Sequence, residues 1–274
     1  MNAGIEALVA AAALVSAPVF AAVVIRRAPP GSENWRGRPV PRTLGLAFGA
    51  SIALGSALAT WVDLPPRSGG RTVWLAGFLF LLVVLLVGFL DDTRGGAERG
   101  FRDHLRSLAR LRPSTGVAKL VAGIGSAVVL AVLLGGGWPR VVAAAVLIAV
   151  STNLANVLDV RPGRALKWFL PLVAASWAAL SGDALALLMA AALGAGLGVL
   201  PFDLAESGML GDAGSNPLGM VAGLGLAAAL STPWLYVAAA LTLALQVTAE
   251  TVTISRLIEA VPPLRWFDRL GRAS

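Results

Sequence analysis

Two aspartates, Asp91 and Asp92, stand side by side where the charge-free run Val73 to Leu90 ends. Further along, Asn153, Asn156 and Asp159 recur three residues apart in T-N-L-A-N-V-L-D. A third group is the glycine-rich stretch M-L-G-D-A-G-S-N-P-L-G at 209–219, with Asp212 inside it. Adjacent carboxylates repel unless a cation lies between them or one takes a proton. Three-residue steps on a helix stay on one face, so two amides and a carboxylate would line one wall of a polar cavity that reads hydrogen-bonding groups. Arg161, Arg164 and Lys167 follow at once and offer cations for phosphate. In the third group Gly211, Gly214 and Gly219 allow close backbone approach. Asn216 and Pro217 there predict a helix start, as N-cap and first helical residue, and free N–H groups at such a start suit an anion. Asp212 beside an anion site makes sense with a divalent cation bridging carboxylate and phosphate. Hard oxygen ligation suits Mg²⁺ or Mn²⁺.

The elements that must position these groups are membrane helices. The chain has 274 residues, is 57% hydrophobic and only 14% charged, which is the composition of an all-α polytopic membrane protein. A helix over Val73–Leu90 would be about 27 Å long, close to a hydrocarbon core of about 30 Å. An aspartate in mid-bilayer costs roughly 2.5–3.5 kcal/mol or more, so Asp91 and Asp92 belong at the membrane surface or in a wet pocket. Nine spans are expected, near 4–25, 43–62, 73–90, 117–136, 141–158, 166–181, 184–200, 217–230 and 234–254. The uncharged run Pro217–Ala249 would make a straight helix of about 50 Å, so Ser231-Thr232-Pro233 is read as a break. No polar stretch is long enough for a separate soluble domain, and residues 1–274 read as one membrane domain.

Charge sets the expected orientation. The first span has no basic residue before it and Arg26-Arg27 after it, the wrong order for a cleaved signal peptide. With the N-terminus outside and the C-terminus cytoplasmic, 19 of the 22 Lys and Arg residues fall on the inner side. The net charge of +7 then reflects topology and anionic lipid, not nucleic acid. Cysteine is absent and His104 is the single histidine, which excludes disulfides, thiolate metal sites and multi-histidine metal sites. The basic loop Arg94–Arg112, with His104, reads as a solvated or lipid-facing surface.

Each group has a plainer reading. Asp91-Asp92 could simply end a span, the Asn153–Asp159 face could be helix-packing glue, 211–219 could be a glycine-rich turn, and Lys119 could snorkel to headgroups. Three polar motifs arriving on one membrane side favour a shared site.

These residues resemble the family of polyprenyl-phosphate N-acetylhexosamine-1-phosphate transferases (glycosyltransferase family 4), which includes phospho-N-acetylmuramoyl-pentapeptide transferase. G-F-L-D-D at 88–92 matches the family's aspartate pair, N-L-A-N-V-L-D at 153–159 its N-x-x-N-x-x-D segment, and G-D-A-G-S-N-P-L-G at 211–219 its G-D-x-G-S-x-x-L-G. Lys119 sits where the family carries a lysine early in the span after the aspartate pair. The resemblance implies attack of a polyprenyl phosphate on the β-phosphate of a UDP-N-acetylhexosamine, releasing UMP, at the cytoplasmic face of the plasma membrane in cell-envelope glycan synthesis. It implies Mg²⁺ on Asp212 with Asp92, Asp91 acting on the lipid phosphate, Asn156 and Asp159 lining the nucleotide pocket, and Lys119 pairing with phosphate or the uracil end. Asp91, Asp92, Asp159 and Asp212 are then the catalytic set. Lys119, Asn153, Asn156, Arg161, Arg164, Gly211, Gly214 and Ser215 are the substrate-binding set. A homodimer is expected on the same ground.

The chain departs from the family's pattern in four places. Val160-Arg161-Pro162-Gly163-Arg164 follows Asp159 where a second D-G is common. The histidine-rich motif is replaced by Pro262-Pro263-Leu264-Arg265-Trp266. A tenth span has no counterpart, and the uracil-stacking aromatic before G-D is Met209-Leu210. The expectation is a shortened, divergent branch in which Arg161, Arg164 and Arg265 replace lost phosphate contacts. Two other functions fit parts of the pattern: a non-catalytic relative that binds lipid phosphate or nucleotide and scaffolds envelope assembly, and a secondary transporter. Retention of all four aspartates disfavours the first, and clustering at one face disfavours the second, because a transport site would lie near mid-membrane.

Overall fold

The structure, a computed structural model, describes residues 3–28, 32–61, 70–94, 115–251 and 254–272. Of the basic loop Arg94–Arg112 only Arg94 is among them, so the readings of that loop and of His104 lie outside the described residues. The elements in order are α1 (Ala3–Arg27), β1 (Ser32–Glu33), β2 (Pro39–Val40), α2 (Leu44–Trp61), α3 (Gly70–Arg94), α4 (Thr115–Leu134), α5 (Trp138–Leu158), α6 (Arg164–Leu180), α7 (Leu185–Leu204), α8 (Asp212–Ala229), α9 (Thr232–Thr251), α10 (Ile254–Ala260) and α11 (Pro262–Arg269).

Apolar runs closed by Gly, Pro or charge become the nine long helices α1–α9. Seven of them are long and apolar enough to cross a membrane. The other two, α6 and α8, have different reasons for falling short. α6 has 17 residues and starts with Arg164 and Lys167. α8 is wrapped by α2, α3, α4, α5, α6 and α7, and 14 of its 18 residues are buried. A helix lined by protein on all sides needs small residues for close packing, not long chains for lipid. A β-carbon on Gly219 would stand 2.2 Å from the Ser151 carbonyl oxygen, so α8 and α5 meet nearly backbone to backbone.

Two helix ends differ from expectation. α3 does not stop at Leu90 but runs on to Arg94, so Asp91 and Asp92 ride on its last turn. Absence of charge marks where a helix is apolar, not where its hydrogen bonds end. α8 starts at Asp212, not Pro217. Gly211 is its N-cap, Pro217 lies inside the helix, and the Asn216 amide donates to the Asp212 carbonyl oxygen at 2.9 Å. As the sixth residue of α8, Pro217 forfeits one intrahelical bond, the one its missing N–H would have given to the Ala213 carbonyl. The expected break at Ser231–Pro233 is present between α8 and α9.

The proline-stiffened loop after α1 forms a two-stranded antiparallel hairpin, Ser32 opposite Val40 and Glu33 opposite Pro39, the one strand pair among the described residues of an otherwise helical chain. Asn34 Oδ1 holds its turn by accepting from the amides of Arg36 and Arg38 at 2.9 and 3.0 Å.

Candidate active site

The aspartate-bearing end of the bundle is assembled by backbone. Met209 N–H donates to the Pro41 carbonyl at 2.8 Å, and the amides of Leu44 and Gly45 donate to the carbonyls of Met209 and Leu210, both at 3.1 Å. This short ladder ties the start of α2 to the segment that enters α8. Gly45 then touches Gly214 so closely that a β-carbon on it would stand 2.3 Å from the Gly214 nitrogen. Gly211 holds φ 65°, ψ −177°, a conformation open essentially to glycine alone.

These contacts bring four helix ends together. Lys119, on the second turn of α4, donates from Nζ to Asp91 Oδ2 at 3.4 Å and to Asp212 Oδ2. One ammonium therefore joins the last turn of α3 to the first residue of α8. Asn156 near the end of α5 donates to Asp212 Oδ1 at 2.8 Å and to Asn216 Oδ1 at 3.3 Å. Asp92 Oδ2 accepts from the Ala213 amide at 3.0 Å, the anion contact expected of a helix N-terminus but made by the protein's own carboxylate. Its other oxygen, Oδ1, is buried, has no hydrogen-bond donor among the described residues, and stands 3.7 Å from the Arg42 guanidinium.

Asp159 closes α5 as its C-cap. Burial, joined by the neighbouring Asp203, Asp212 and Asp92 carboxylates, holds its carboxyl well above the usual range, against the pull of the Gly211 N–H. Asp203 itself is buried and accepts from the Gly163 amide at 2.9 Å. Arg161 lies beside this group, its guanidinium 4.1 Å from the centre of the Trp35 ring and its Nη2 3.9 Å from Glu259. Trp35 also carries Arg36 at 4.7 Å, and Arg36 reaches Glu206 at 3.3 Å.

Some expected site residues are placed elsewhere. Arg164 is buried and gives both Nε and Nη2 to the Asp268 carboxylate, at 2.7 and 2.9 Å, with Nη1 on Ser255. It is a clamp for the C-terminal segment, not a cation of the aspartate cluster. Ser215 is fully buried, its hydroxyl donating to the Gly211 carbonyl at 2.8 Å. Gly214 is buried against α2. Both shape the entry to α8 and offer no side chain to a ligand. Asn153 lies one turn back from Asn156 and makes no hydrogen bond to the cluster among the described residues. Arg265 is on α11, in the C-terminal segment.

Sequence reasoning gave no site role to Arg42, Asn216 or Asp203, although Arg42 lies in the basic, proline-stiffened stretch Asn34–Gly45 that stands out on the inner side. Arg42 carries a faint signal, being the last basic residue of a proline-flanked P-R-T-L-G run that precedes a helix. Nothing local marks Asp203, which falls just past the expected span 184–200.

Whether a divalent cation fits can be judged from the donors. Asp92 Oδ1 is a hard oxygen with no hydrogen-bond donor among the described residues, and Asp212 lies one residue from the amide that Asp92 Oδ2 accepts. Among the described residues no three His, Cys, Asp or Glu side chains are gathered as a metal cage. Asp92 and Asp212 would offer Mg²⁺ hard oxygen ligands, and that ion commonly keeps waters and binds substrate phosphates besides.

The chain belongs to glycosyl transferase family 4, whose model matches residues 74–232. Membership implies a phosphosugar transferase acting on a lipid carrier. A search of curated proteins found no match. The matched span holds Asp91, Asp92, Lys119, Asn156, Asp159 and Asp212. It leaves out α1, the hairpin and α2 before it, and α9 beyond Thr232 with α10 and α11 after it.

Proposed function

We propose that the chain transfers a sugar-1-phosphate, N-acetylhexosamine-1-phosphate in the first instance, from a UDP-sugar to a polyprenyl phosphate. The observation that carries this reading is the single ammonium of Lys119 shared by Asp91 and Asp212, with Asn156 on the second oxygen of Asp212. Phosphoryl transfer asks little covalent chemistry of a protein and much positioning and charge neutralisation. Four helix ends joined through Lys119 and Asn156 supply the positioning.

In this reading an oxygen of the lipid phosphate attacks the β-phosphorus of the donor. The bond from that phosphorus to the bridging oxygen breaks, and UMP leaves with the electron pair. Asp91 orients the lipid phosphate and takes its proton where one is present. Lys119 swings between Asp91 and the donor phosphates, offsetting charge as the bridging bond lengthens. Asp212 and Asp92 would hold Mg²⁺, which when bound draws charge from the diphosphate and improves UMP as leaving group. Asn156, Asn153 and Asp159 face the nucleotide side, with Arg161 beside them as a further cation. Gly211 and Gly214 keep the turn narrow enough for the substrate to approach.

The same reading makes nine crossings of α1–α9, with the aspartate end in the cytoplasm and the N-terminus outside. The bias of basic residues supports it: Arg26, Arg27, Arg36, Arg38, Arg42 and Arg161 lie toward that end, while Arg71 and Arg140 lie toward the other. The proposed partners are polyprenyl phosphate, a UDP-sugar, the plasma-membrane bilayer and a second copy of the chain. The test is UMP release by purified protein given undecaprenyl phosphate, Mg²⁺ and a panel of UDP-N-acetylhexosamines. Release by the wild type and none by Asp212→Asn is expected. Folded protein that binds lipid phosphate yet releases UMP from no donor would instead support a scaffold.

A further inference from the structure

α11 has two faces with opposite fates. On the inner face Phe267 meets the edge of Trp168, ring centres 5.0 Å apart. Asp268 is buried and takes Arg164 on one side and Arg272, at 2.6 Å, on the other. Lys167 donates to the carbonyls of Asp268 and Leu270, the latter at 3.0 Å. Arg272 Nε reaches the Pro162 carbonyl at 3.0 Å. The helix is thereby fixed across the first turn of α6, the level at which that helix passes from charged to apolar residues.

The outer face carries Pro262, Arg265, Trp266 and Arg269, spaced i, i+3, i+4 and i+7, one stripe of a helix. With Leu270 and Gly271 they border an open hollow of about 480 Å³. Trp266 is 67% exposed. The one acid of α11, Asp268, is turned inward and fully engaged, so the outward stripe carries cationic and aromatic side chains and no acid. Among the described residues neither Arg265 nor Arg269 makes an ion pair. Two guanidiniums complement phosphate, an indole favours the headgroup level of a bilayer, and the stripe stands where α6 leaves the apolar bundle. This segment also lies outside residues 74–232, so it is no part of the matched transferase core.

We propose that Arg265, Trp266 and Arg269 form a binding face for anionic phospholipid headgroups, which seats the C-terminal segment on the membrane beside the site.

The absence of cysteine allows a direct test. A nitroxide on Leu270→Cys, at the edge of the hollow, reports its surroundings by accessibility to oxygen against a water-soluble relaxant. The full chain is reconstituted into vesicles of phosphatidylcholine alone or with phosphatidylglycerol. The oxygen-to-relaxant ratio is expected to rise about twofold or more with phosphatidylglycerol, and Arg265→Gln with Arg269→Gln should abolish the rise. Equal ratios in the two vesicles, or a rise that survives the double substitution, would overturn the proposal. So would an equal response to inorganic phosphate, which would make the face a free-anion site. Retained circular dichroism and an unshifted melting midpoint keep the double variant interpretable.

Discussion

A β-carbon placed on Gly211 would stand 2.6 Å from Oδ2 of Asp92, the oxygen that accepts the Ala213 amide. The residue that admits the turn into α8 and the carboxylate that fixes its first amide thus occupy one another's space. Gly211→Ala adds both that clash and a backbone conformation that costs about 1–3 kcal/mol outside glycine. The chain is expected to remain a helical bundle while transfer falls about 100-fold or more, since small misplacements of reacting groups have that effect. Near-wild-type turnover of Gly211→Ala would mean that this geometry does not matter to the reaction.

Lys119 joins Asp91 to Asp212, so its removal leaves two carboxylates without their common cation. Lys119→Met is expected to lower turnover by about two to three orders of magnitude, with Lys119→Arg recovering part of it. Combining Lys119→Met with Asp212→Asn should cost little more than either alone, because the residues act as a unit. Fully additive losses in steady-state kinetics would contradict the shared role.

Much of this arrangement is legible in the sequence because it repeats at short range. Eighteen charge-free residues define the core of α3, three-residue spacing puts Asn156 and Asp159 near one wall, and Ser231-Thr232-Pro233 splits α8 from α9. What is not legible depends on partners far along the chain. Arg164 follows the asparagine motif like another phosphate ligand, yet its partner is Asp268, 104 residues on. Pro217 looks like a helix start because local rules favour it there. The true start at Asp212 is decided by contacts with Gly45 of α2 and Asp92 of α3, which no local pattern encodes.

At the opposite end of the bundle Glu6 is buried and accepts from Trp177 Nε1 at 2.7 Å, Ser181 Oγ at 3.1 Å and the Gly182 amide at 2.8 Å. It fastens α1 to the end of α6. Glu6→Ala strands those donors, and a loss on the order of 2–4 kcal/mol is expected, read as a lower melting midpoint in detergent. Turnover at a permissive temperature should be unchanged. An unaltered midpoint would show that α1 is held by packing alone.

The C-terminal clamp has a defined pH sense. Burial pushes the Asp268 carboxyl up, but the Arg164 and Arg272 guanidiniums more than offset this and hold it below the usual range. A lowered folded value means that Asp268 contributes its full stabilisation above the unfolded carboxylate value near 3.9 and loses it as pH falls through the folded value. The clamp should therefore hold through mild acid and release only below about pH 4. Asp268→Asn should release it at neutral pH, because it leaves Arg164 buried without a counter-charge. Proteolysis of the C-terminal segment across a pH series would check both. Release of the wild type at pH 5–6 would contradict the assignment.

The central claim is that the cluster of Asp91, Asp92, Lys119, Asn156 and Asp212 moves a phosphosugar onto a lipid. Its most direct measurement uses a UDP-sugar labelled at the β-phosphate, incubated with undecaprenyl phosphate, Mg²⁺ and protein in detergent. The account predicts label in the lipid phase with one UMP released per lipid product, and none with Asp212→Asn or without Mg²⁺. Label that stays in the aqueous phase for every donor tried, with folded protein, would contradict it.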